Sequence, residues 1–110
     1  MTGAPLNELG ATRLQELIAN LEQLDDDYII CVMKPWSPEA SARLTLPNEN
    51  EAVPDELKLC GFSYFLEVYF AKEVQEVFGA KPPSVDEKVR LLIEYAENDA
   101  YPAWVYDRER

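Results

Sequence analysis

The chain has 110 residues, 47% hydrophobic and 28% charged, a globular composition long enough for one core but not for two. Asp and Glu number 21 against 10 Lys and Arg, a formal net charge of −11 that sets the protein against nucleic-acid backbones and anionic membrane surfaces. Histidine is absent, which removes the commonest general base and the commonest metal ligand.

Residues 12–24 read as a helix, because Leu14, Leu17, Ile18, Leu21 and Leu24 recur at three- and four-residue steps. Thr12 is the expected N-cap, and Asp25-Asp26-Asp27 ends the pattern, since carboxylates oppose the dipole at a helix C-terminus. Tyr28 to Met33 is a continuous apolar run with β-branched Ile29, Ile30 and Val32, the pattern of a strand with both faces largely covered. Pro35-Trp36-Ser37-Pro38 turns the chain, and Ala42, Leu44 and Leu46 then alternate with Arg43 and Thr45 as in a half-buried strand. The acidic stretch from Pro47 to Asp55 reads as a connection of unusual length, either a mobile surface loop or a functional one.

A third strand follows, with Phe62, Tyr64, Leu66 and Val68 on one side and Ser63, Phe65 and Glu67 on the other. From Phe70 the period lengthens to a helical one, through Val74, Val77 and Phe78, until Gly79 stops it. Ser84-Val85-Asp86-Glu87 is a capping box opening a helix to Asn98 or Asp99. Trp104-Val105-Tyr106 is a short edge strand or a packed tail. The expected order is α-β-β-β-α-α. This is an α+β fold, a small antiparallel sheet of three or four strands with helices packed on one face. Residues 1–110 form a single domain, with 1–11 and 107–110 as flexible ends.

The first residues carry neither a basic stretch nor an apolar core of a signal peptide, and the longest apolar run is far too short to span a bilayer, so the expected location is cytoplasmic. Cys31 and Cys60 are expected as free thiols, although a disulfide between them is geometrically possible. Without histidine, the serines have no usual base, and the scattered glycines form no phosphate-cradling loop. Asp25-Asp26-Asp27 lacks the alternating spacing of an EF-hand loop. The expectation is therefore no catalysis, no metal and no cofactor. Trp36 either caps the core or anchors an interface; Tyr64, Phe65, Tyr69, Phe70 and Phe78 are expected in the core.

The early Leu-rich helix, the strand ending near Trp36, the Tyr64-Phe65-Leu66 strand and the ending Glu94-Tyr95-Ala96-Glu97-Asn98-Asp99-Ala100-Tyr101 together resemble an uncharacterised bacterial family of small acidic proteins. The resemblance spans residues 14–101 and implies an accessory protein of the toxin-immunity kind, with no catalytic residues to carry over. It also implies more acidic residues before Ala42 than this chain has.

These features point to a non-catalytic acidic interaction protein, an immunity protein that binds and blocks a basic bacterial toxin. The alternatives are a nucleic-acid mimic inhibiting a DNA-binding or defence protein, and a small enzyme or regulatory subunit. A homodimer is compatible with the composition. The candidate partner-binding residues are Asp25, Asp26, Asp27, Trp36, Glu49, Glu51, Asp55, Glu94, Glu97, Asp99 and Tyr101. In this arrangement acidic clusters form the rim, and Trp36 or Tyr101 is the central anchor.

Overall fold

A computed structural model describes residues 12–47, 53–79 and 82–107. Of the ends expected to be flexible, 1–11 and 108–110 lie outside the described residues, and Asp107 closes the last helical turn. In chain order the elements are β1 (Thr12–Arg13), α1 (Leu14–Ala19), a 3-10 turn (Leu21–Gln23), β2 (Ile29–Met33), β3 (Ser41–Thr45) and α2 (Asp55–Leu59). They continue with β4 (Phe62–Glu67), α3 (Val68–Val74), a second 3-10 turn (Gln75–Phe78), α4 (Val85–Asn98) and α5 (Trp104–Asp107). The sheet has four strands in the order β1-β3-β2-β4, each neighbouring pair antiparallel. The fold is α+β.

The apolar stripe of α1 packs with Ile30, Val32, Ala42 and Leu44 from the sheet and with Val89, Leu91 and Leu92 of α4. Thr12 does not cap α1. It lies in β1, Arg13 holds the N-cap without a side-chain bond, and the Leu14 and Gln15 amides donate instead to the carbonyls of Ala40 and Pro38 at 2.9 Å. The backbone of the turn before β3 thus satisfies donors that a side chain was expected to satisfy.

Not all helices lie on one face. Ile29, Cys31 and Phe62 form a second buried cluster with Val53 and Leu57, so α2 covers the side of the sheet opposite α1 and α4. An unbroken apolar β2 requires this, because its alternate side chains would otherwise face water. Gly61 turns the chain from α2 into β4 at φ +94, where a Cβ would come within 3.0 Å of the Met33 Cε.

The simple alternation expected in β4 also fails. Cys31 pairs with Tyr64 while its neighbour Ile30 pairs with Leu66, so Phe65 is the extra residue of a β-bulge. The bulge sends both Phe65 and Leu66 into the main core, whereas Phe62 joins the second cluster. Val68 is not strand but the first residue of α3, and Trp104 to Tyr106 form a helical turn instead of an edge strand. Tyr64 and Tyr69, expected in the core, are exposed at 46% and 47%. The capping box of α4 is as expected: the Glu87 amide donates to Ser84 Oγ at 3.1 Å, and the Ser84 amide to Glu87 Oε1 at 3.0 Å.

Candidate functional site

The last turns of α4 border two surfaces. The first is a concave site of about 310 Å³ lined by Lys34, Pro35, Trp36, Ala96 and Glu97. It opens where the chain leaves β2: after the cis Lys34–Pro35 peptide, Trp36 folds back so that its Nε1 donates to the Val32 carbonyl at 3.3 Å. Ser63 Oγ donates to the same carbonyl at 3.1 Å, which ties the turn to β4 as well. The Trp36 ring stands edge-on to Phe65, and Lys34 Nζ lies 5.1 Å from its centroid. Trp36 is half-buried against the core, the first of the two roles considered for it, and also lines the concavity. Glu97 supplies the carboxylate of the lining.

The second surface is aromatic. Phe70, Tyr95, Tyr101 and Tyr106 follow one another edge to face, with centroids 5.6, 5.0 and 6.4 Å apart, and Tyr69 touches Phe70 at 6.5 Å. Tyr69, Tyr101 and Tyr106 are exposed. Burial against this stack raises the Tyr101 phenol above its ordinary pKa, helped by the phenols of Tyr95 and Tyr106 and then by the carboxylates of Glu73 and Glu76.

The remaining expected residues fall in different places. Asp25, Asp26 and Asp27 form an exposed turn. The Asp27 amide donates to Asp25 Oδ1 at 2.9 Å, and Lys72 Nζ reaches Asp26 Oδ1 at 2.6 Å and the Leu24 carbonyl at 2.9 Å. Asp55 is exposed in the first turn of α2, across the sheet from α4. Glu94 is engaged internally, accepting from Arg90 Nε at 3.0 Å and from Trp104 Nε1 at 2.9 Å. Asp99 ends α4 with φ 55, in the left-handed region. Glu49 and Glu51 lie outside the described residues.

Trp36 and Glu97 are thus brought together, and Asp99 and Tyr101 follow from the same end of α4. Sequence reasoning missed Tyr95, Tyr106, Glu73 and Glu76. Their signal was present in part: Glu73 and Glu76 follow Tyr69 by four and seven positions, the spacing of one helical face.

Both cysteines are free thiols, Cys31 buried and Cys60 exposed. Burial pushes the Cys31 thiol up to about 11 against the opposing pull of Arg43, so it stays protonated at neutral pH and is a poor nucleophile. Among the described residues no group of three or more Cys, Asp or Glu is placed to hold a metal ion, and no helix is long and apolar enough to cross a membrane. Comparison with protein-family models, curated proteins and solved structures gives no match.

Proposed function

We propose that the chain is a non-catalytic acidic interaction protein that binds a basic protein, with the resemblance to small bacterial accessory proteins making a toxin in the cytoplasm the partner class. The observation that carries this reading is the concave site at the end of α4, which Trp36 and Glu97 line together with Lys34, Pro35 and Ala96. An indole wall beside a carboxylate suits an apolar anchor flanked by a cation, and the net charge of −11 steers such a partner inward.

The test is capture of a partner from source-cell lysate, followed by binding kinetics at two salt concentrations. Trp36→Ala is expected to raise the dissociation rate and cost about 2 kcal/mol or more. Asp25→Asn with Asp27→Asn leaves the Lys72 bridge to Asp26 in place. It is expected to slow association mainly at low salt, because charges outside the contact itself still steer encounter. A neutral or acidic partner held without salt dependence overturns the electrostatic part; a bound small molecule with no protein partner overturns the whole reading.

A further inference from the structure

We propose that the tyrosine surface of Tyr69, Tyr101 and Tyr106, with Glu73 and Glu76 beside it, receives arginine side chains of a basic partner. This deepens the interaction reading above and rests on it. The molecule holds one such guanidinium already: Arg90 Cζ lies 4.4 Å from the Trp104 ring centroid while its Nε donates to Glu94 at 3.0 Å. A planar, weakly hydrated guanidinium stacks on an aromatic face and keeps its in-plane donors for a carboxylate, so ring and acid hold it jointly.

The tyrosine surface offers the same two ingredients, ring and acid. Tyr101 and Tyr106 are 39% and 57% exposed, and among the described residues no lysine or arginine stands over either ring. Glu73 and Glu76 are exposed on the helical segment that carries Tyr69 and Phe70. After burial and the phenols of Tyr95 and Tyr106, their carboxylates add to the upward shift of the Tyr101 phenol. A second copy of this chain is the poorer occupant, since each copy brings a net charge of −11 to the contact.

The test titrates the purified chain with a nona-arginine peptide at low salt, with nona-lysine in parallel, by calorimetry. Nona-arginine is expected to bind more tightly than nona-lysine. Tyr101→Ala with Tyr106→Ala is expected to weaken it at least about fivefold at unchanged net charge, while the corresponding Phe variants retain binding. Glu73→Gln with Glu76→Gln is expected to weaken it more than Glu22→Gln with Glu56→Gln, which removes two exposed carboxylates elsewhere and should cost less than about twofold. Tyr106→Ala alone serves if the double variant does not fold. Equal losses from both glutamate pairs, or none from the tyrosine variants, overturn the proposal. So does a dimer that these tyrosine variants dissociate, which assigns the surface to a second copy. A captured basic partner indifferent to the tyrosine variants overturns the arginine site and leaves the interaction reading standing.

Discussion

The ring of Trp36 meets that of Phe65 edge to face, with centroids 5.0 Å apart and planes at 84°. Phe65 is the bulged residue of β4, so the irregularity in that strand sets where the wall of the concave site stands. The positive edge of one ring lies on the negative face of the other, a geometry that contributes beyond the area it buries.

Phe65→Ala is expected to destabilise the protein by about 3–5 kcal/mol, through the cavity left in the main core and the loss of this contact. Denaturant titration measures the first effect. At denaturant-free conditions where the variant remains folded, weaker binding of the captured partner measures the second. A cost below about 1 kcal/mol contradicts the packing described for Phe65.

The two thiols are expected to differ sharply. Native protein at neutral to mildly alkaline pH should label at exposed Cys60, and buried Cys31 should label only after denaturation. Because the folded value of Cys31 is raised from 9.0 to about 11, its neutral form stabilises the fold fully below pH 9, and that contribution is lost as pH rises through 11. Tyr64 and Tyr101, also raised, add losses of the same sign at alkaline pH. Cys31→Val should flatten the decline in stability between pH 9 and 11; an unchanged slope contradicts the assignment.

Asp99→Gly is expected to stabilise the chain by about 1 kcal/mol. Asp99 sits at φ 55, where a Cβ is unfavourable, and its carboxylate opposes the α4 dipole. The thermal midpoint should rise by roughly 4 °C or more. A lower midpoint would mean that the Asp99 carboxylate makes a stabilising contact outweighing both costs.

Local signals were the legible ones. The α4 capping box is written within one stretch of chain, and the structure reproduces it. The continuous apolar run of β2 announced two covered faces, but α2, which covers the second, spans only Asp55–Leu59 and is too short for periodicity to reveal. The bulge at Phe65 lets the adjacent Phe65 and Leu66 both enter the main core, a demand set by the whole sheet. Trp36 and Glu97 line one concavity from distant parts of the chain, and the tyrosine surface draws on α3, α4 and the segment after it. Such juxtapositions have no period to read.

β2 lies between β3 and β4, with buried side chains on both faces. Its amides therefore belong to the slowest class for exchange with solvent, protected until the domain opens as a whole. The concave site begins one residue beyond that strand, at Lys34, while its other side is carried by the closing turn of α4. One wall is thus preformed on the least openable part of the molecule, and the ordering cost of binding falls on the helix end opposite it.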